Sequence, residues 1–233
     1  MVNPLISAQI NSHYYGTIHA LSEVSCEILE GSLTAVVGPN GGGKSTLIKL
    51  MTGLVNPTDG KIDRHGLCPT DIAYLAQRTE IDRTFPIKVE DVIAMGFWPK
   101  VPGLAKHHKE HHHQIDEILD KVGLTGMGRR SISQLSGGQL QRLFFGRVMA
   151  QNAQLILLDE PFAGIDQPTV AHLITLMRSW HDKGKTIVTV LHDINLVKAL
   201  FPETLLIARS LIDKGVTQTV LTPDNLTKAA FNV

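Results

Sequence analysis

The chain has 233 residues, 43% hydrophobic and 19% charged, enough for one large domain or one domain with a lobe. Its 22 Lys and Arg balance its 22 Asp and Glu, so the net charge is zero and no electrostatic footprint for nucleic acid or an anionic membrane is present. Cys26 and Cys68 have no metal-ligand spacing, no window reaches the ~18 apolar residues of a membrane helix, and Met1-Val2-Asn3-Pro4 has no signal design, so a disulfide, a membrane span and a secretory leader are all unexpected.

The first thirty residues read as a β-rich start punctuated by Gly16 and Gly31. Within it Val24, Cys26 and Ile28 alternate with polar residues, which puts Cys26 in the core of a strand. Leu33-Thr34-Ala35-Val36-Val37 is apolar and β-branched, a buried strand. Gly38, Pro39, Asn40, Gly41, Gly42, Gly43, Lys44, Ser45 and Thr46 follow and fit G-x-x-x-x-G-K-[ST]. Ser45 to Met51 then reads as a helix ending near Gly53. The glycines therefore occupy a strand-to-helix turn, where side chains would keep backbone amides from wrapping a triphosphate. Those amides and the helix N-terminus attract anions. Lys44 adds a point charge for the β and γ phosphates, and the Ser45 hydroxyl is placed to ligand Mg²⁺.

A turn-rich loop from Gly53 to Gly60 leads to a strand at Ile72 to Leu75, ending at Gln77. From Arg78 to about Ala150 strands become scarce. Val89 to Met95 reads as a short helix after Pro86, Gly96 to Lys106 as a loop, and Ile115, Ile118, Leu119 and Val122 as one helical face. This middle third has the character of an inserted helical lobe. The α/β pattern resumes with the apolar run Leu155 to Leu158, which ends at Asp159-Glu160. A helix carrying Leu173, Leu176, Met177 and Trp180, a strand at Lys185 to Leu191 and another at Leu205 to Ala208 complete it. Strands separated by helices imply a mainly parallel sheet covered on both faces, with ligands beyond the carboxyl ends of the strands.

Each chemical motif falls at such an end. Asp159 can reach a Mg²⁺ held by Ser45, and the adjacent Glu160 can orient or polarise an attacking water. The competing reading of this pair is a helix N-cap before Pro161. Leu135-Ser136-Gly137-Gly138-Gln139 starts another helix and makes a second amide-rich anion site; alone it would pass for an ordinary N-cap.

With the phosphate loop, this pentapeptide and Asp159-Glu160 in this order, the chain resembles the ATP-binding subunit of an ABC transporter over nearly its whole length. The resemblance implies an α/β P-loop NTPase core with an N-terminal antiparallel β region. It implies one ABC ATPase domain over 1–233, with a core lobe at about 1–80 and 151–233 and a helical lobe at about 81–150. It also implies that Tyr15 stacks on adenine, Tyr14 being the competing candidate, and that Gln77 touches Mg²⁺ and water. Asp166 matches the aspartate after the second carboxylate motif, and His192 the switch histidine on the γ-phosphate. Catalysis is then expected from Glu160, His192, Gln77 and Lys44, and Mg²⁺ ligation from Ser45, Gln77 and Asp159. In that family Ser136, Gly137, Gly138 and Gln139 contact the ATP held by another copy, so a homodimer with two ATP molecules is implied.

The resemblance further implies integral membrane permease subunits, an extracytoplasmic solute-binding protein as an indirect partner, and a peripheral position on the cytoplasmic side of the cell membrane. Tyr74-Leu75-Ala76-Gln77-Arg78, Phe85-Pro86-Ile87 with Val89, and Pro161-Phe162-Ala163-Gly164-Ile165-Asp166 are similar to the zinc and manganese importer branch. They put zinc first as cargo, then manganese or iron. A non-transport ABC ATPase, an ABC importer of a metal chelate or other solute, and an ATP sensor without turnover are the alternatives. His107, His108, His111, His112 and His113 crowd one window. They read as a polar helix start, or as i, i+4 pairs (His107 with His111, His108 with His112) able to hold Zn²⁺ as a brake on transport.

Overall fold

A computed structural model describes residues 3–77, 82, 85–98 and 111–231. It opens with a long hairpin, β1 (Pro4–Tyr15) and β2 (Ile18–Leu29), turning at Gly16, whose φ of 59° is the left-handed conformation glycine tolerates. β3 (Leu33–Val37) leads through the phosphate loop into α1 (Lys44–Thr52), which stops at Gly53 in the left-handed conformation. β4 (Asp59–Asp63) returns to pair antiparallel with β1, giving a three-stranded sheet in the order β2-β1-β4. β5 (Ile72–Leu75) starts the main sheet.

The segment up to the next strand is helical among the described residues: α2 (Val89–Ala94) with a 3₁₀ turn at Met95–Phe97, α3 (His112–Lys121) and α4 (Gly137–Gln151). There follow β6 (Leu155–Asp159), α5 (Gln167–His181), β7 (Thr186–Val190), α6 (Ile194–Leu200), β8 (Glu203–Ala208), β9 (Ser210–Val216), α7 (Thr217–Val220) and α8 (Pro223–Phe231). The six-stranded sheet runs β5-β6-β7-β3-β8-β9; every pairing is parallel except the last, which is antiparallel.

The period of two along each strand divides the core. Leu155, Leu157, Val188, Val190, Val36 and Ile207 face α1 and the antiparallel sheet, so α1 lies buried between two sheets. Ile156, Leu158, Ile187, Val37, Leu206 and Ala208 face the other way and share one core with α2 to α5. Cys26 is buried in the first of these, as its alternation predicts.

Two readings differ from the structure, and the last strand was not read from the sequence. Asp59 and Gly60 are strand rather than loop, and Gly60 passes so close to β1 that a Cβ would lie 2.2 Å from the Gln9 carbonyl. β4 escapes notice because Ile62 is its only apolar residue. Gly96 belongs to the 3₁₀ turn, not a loop, and its missing Cβ lets that turn rest on α4, since a Cβ there would lie 2.4 Å from the Arg147 carbonyl. β9 is an edge strand whose exposed Lys214-Gly215-Val216 hides the pattern.

Candidate active site

Strands β5, β6, β7, β3 and β8 are adjacent and parallel, so the residues that follow them emerge along one edge of the sheet. Gln77, Asp159-Glu160, His192, the phosphate loop and Arg209 come from these five ends in turn. Gln77, Glu160, Arg209 and the loop residues Asn40, Gly41 and Gly43 to Thr46 border a cavity of about 510 Å³. Asp159 and His192 lie outside its lining and join it through hydrogen bonds to Ser45 and Glu160. One end is walled by Tyr15, Ile18, His19 and Ala20, the floor by Asn40, Gly41 and Gly43 to Thr46, the far end by Gln77 and Glu160, and one side by Arg209.

The loop glycines are required by close approach. A Cβ on Gly38 would lie 1.8 Å from the Ile207 carbonyl, and one on Gly43 (φ 88°) would lie 2.6 Å from the Ala20 carbonyl. Lys44 is 5% exposed, and its ammonium donates to the carbonyls of Gly38 (3.0 Å) and Pro39 (2.7 Å), which curls the loop around it. Burial pushes its pKa below the ordinary lysine value, against the opposing pull of Glu160 and then Asp159. Ser45 Oγ donates to Asp159 Oδ1 over 3.0 Å, and Asp159 is 2% exposed. A hydroxyl and a carboxylate beside a phosphate cradle make an oxygen-only donor set. That fits Mg²⁺, which takes few protein ligands and completes its shell with phosphate and water.

Glu160 continues β6 by only one step, yet its φ is 50°, outside the range favoured by L-residues other than Asn and Asp. Its amide donates to the Val190 carbonyl (3.2 Å), which ties the turn to β7. Gln77 Nε2 donates to Glu160 Oε2 (2.9 Å), and His192 Nε2 lies 2.6 Å from Oε1. An ionised carboxylate only accepts, so Nε2 carries the hydrogen. Strain held by partners on both sides is the usual mark of a reacting group.

Other candidates lie elsewhere. Ser136, Gly137, Gly138, Gln139 and Asp166 do not line this cavity. Ser136 caps α4, accepting from the Gln139 amide (3.2 Å) while Gln139 Oε1 accepts from the Ser136 amide (2.9 Å). Asp166 caps α5, and hydrogen bonds from the Thr169 amide and hydroxyl (both 2.9 Å) hold its carboxyl below the usual carboxylate range. The first turn of α4 runs close to the Asp166 cap: a Cβ on Gly138 would lie 3.2 Å from Asp166 Oδ2. Tyr15 lines the cavity, whereas Tyr14 stacks on His19 with ring centres 4.4 Å apart.

His107 and His108 lie outside the described residues. His111 stacks on Phe97, and His112 and His113 pair with Asp116 (3.0 Å) and Glu117 (3.1 Å) rather than with another histidine. No group of three or more metal-ligating side chains occurs among the described residues. Sequence reasoning did not pick out Ile18, His19, Ala20 or Arg209. Applying the strand-end rule to Leu205–Ala208 would have found the last.

This is the strand-end nucleotide site of a P-loop ATPase. A family model described as ABC transporter matches residues 21–163, and the chain belongs to that family as one of its ATP-hydrolysing subunits. The manganese transport system ATP-binding protein MntB of Listeria innocua is 40% identical over 211 residues, covering 89% of this chain and 88% of MntB. The zinc transport system ATP-binding protein TroB of Treponema pallidum is 35% identical over 213 residues, covering 90% and 80%. Among solved structures, a transporter described as of the metal-chelate type, in an inward-facing conformation, superposes with a TM-score of 0.84 at 28% identity, covering 98% of this chain and 90% of that one.

Proposed function

We propose that this protein powers uptake of a divalent metal ion through separate membrane permease subunits, by hydrolysing ATP on the cytoplasmic side of the membrane. The observation that carries the motor is the Glu160 carboxylate, which Gln77 and His192 hold and which shares one cavity with Lys44 and Ser45. The cargo rests on the relatives: their names put manganese ahead of zinc, reversing the order that sequence motifs alone suggest.

In this reading Tyr15 stacks on adenine and the loop amides from Gly38 to Thr46 hold the phosphates, with Lys44 transferred from its loop carbonyls to the γ-phosphate. Ser45 and Asp159, with Gln77, would hold Mg²⁺, which when bound neutralises charge on the β and γ oxygens. Glu160 orients the attacking water and takes its proton, and His192 fixes the carboxylate and reaches the γ-phosphate. Ser136 to Gln139 and Asp166 lie off the cavity, so a second copy would present them to nucleotide bound here, in a head-to-tail homodimer. The stretch at about 81–150 serves as a helical lobe that meets the permease, with 1–80 and 151–233 as the core. A solute-binding protein would deliver the ion from outside.

Vesicles containing the protein and its permease test this. ATP-dependent uptake of Mn²⁺ or Zn²⁺ that is lost in Glu160→Gln is expected; ATP hydrolysis with no movement of either metal would overturn the cargo. A Glu160→Gln protein that stays monomeric with ATP at high concentration, with and without permease, would overturn the dimer.

A further inference from the structure

We infer that Arg209 is a nucleotide-contacting residue, taking the ribose and α-phosphate portion of bound ATP. The inference rests on the ATP site described above and adds a fifth strand end to it.

Placement comes first. β8 is parallel to β3 and in register with it, Val37 facing Leu206, so the residue after β8 emerges beside the phosphate loop. The Arg209 amide donates to the Gly42 carbonyl (2.8 Å), and its own carbonyl accepts from the Ser22 amide (2.7 Å). Arg209 is thus pinned between the middle of the loop and β2. The base end of the cavity is made by Tyr15 and by Ile18 to Ala20, and the γ-phosphate end by Gln77 and Glu160. A residue fixed between Gly42 and Ser22 stands where the sugar joins the phosphates.

Residue type comes second. Arg209 is the single residue between Ala208 and Ser210, which pair across the β8–β9 turn, and its φ is 58°. That turn would be made at less cost by Gly or Asn. The chain instead places there its most persistent cation, one that lines the cavity and has no side-chain hydrogen bond or ion pair among the described residues. Lys44, by contrast, is already engaged by two carbonyls. A guanidinium offers five donors in a plane, suited to ribose hydroxyls and a phosphate oxygen together.

Arg209→Asn separates this role from that of a turn former, because Asn accepts the left-handed conformation but carries no charge. Titrating ATP and ADP into the purified chain should show affinity weaker by about tenfold, the size of one charge-assisted contact. Its melting temperature should be no lower than wild type. Arg209→Lys should fall between, and the salt dependence of binding should be shallower in Arg209→Asn. Binding of ATP by Arg209→Asn equal to wild type would overturn the inference. So would equal weakening in both variants with a lowered melting temperature, which would assign Arg209 to the fold alone. Failure of the wild type itself to bind ATP would remove the inference together with the parent site; wild-type binding with unchanged Arg209→Asn would remove the inference only.

Discussion

His192 and Glu160 meet at 2.6 Å across 32 residues of sequence, joining the ends of two neighbouring strands, β7 and β6. Glu160 has a left-handed backbone, φ 50°, and both of its carboxylate oxygens are engaged, the second by Gln77. Glu160→Gln should slow phosphate release by about 10²–10⁴-fold, the usual worth of a positioned general base, while ATP binding persists. His192→Ala frees Oε1 and should slow release as well. Steady-state turnover and equilibrium binding measured on both variants check this; turnover within twofold of wild type in Glu160→Gln would disprove it.

Lys44 is the buried cation of the phosphate loop, and its ammonium donates to the carbonyls of Gly38 and Pro39. Wild-type protein with Mg²⁺ and ATP at a hundredfold over its dissociation constant should gain about 2.7 kcal/mol of stability. Lys44→Met should show no such gain. Thermal melts with and without nucleotide read the difference, and an ATP-induced rise in Lys44→Met would refute it.

Gly38 has no room for a methyl group, since the Ile207 carbonyl occupies the space. Gly38→Ala must push β8 from β3 or open the loop, at a cost of about 1–3 kcal/mol, typical of overpacking. Loss of both ATP affinity and unfolding free energy is expected from denaturant titration. A stable, fully binding variant would show that the loop is looser than its geometry here.

The two cysteines should behave oppositely. Burial raises the Cys26 thiol from 9.0 to about 11, whereas Cys68 is exposed. An acid whose pKa is raised by folding keeps its full stabilising contribution below the unfolded pKa. It loses that contribution as pH rises through the folded value, here between about 9 and 11. One thiol should react with a disulfide reagent in native protein at pH 8 and two in denaturant. Cys26→Ala should flatten the alkaline fall in stability. Two fast native thiols would contradict this.

Much of the fold was legible where chemistry is local. The apolar runs Leu33–Val37 and Leu155–Leu158 announce strands because buried parallel strands need continuous apolar residues. β4 and β9 were not legible: each lies at a sheet edge, β4 with Ile62 as its one apolar residue and β9 without apolar-polar alternation, and only pairing with β1 or β8 makes it a strand.

The sequence by itself determined the glycine-rich turn, the paired acids and the ends at which Gln77 and His192 stand, because a phosphate cradle and a carboxylate for water each demand particular residue types at short spacing. Only the tertiary structure decided that Tyr15 rather than Tyr14 faces the cavity, through the register that sets Tyr14 against His19, and that Arg209 borders it. It alone showed that Ser136 and Asp166 cap their own helices away from the cavity. Those outcomes depend on which strands are neighbours and in what register, and that is settled by the packing of residues far apart in the chain.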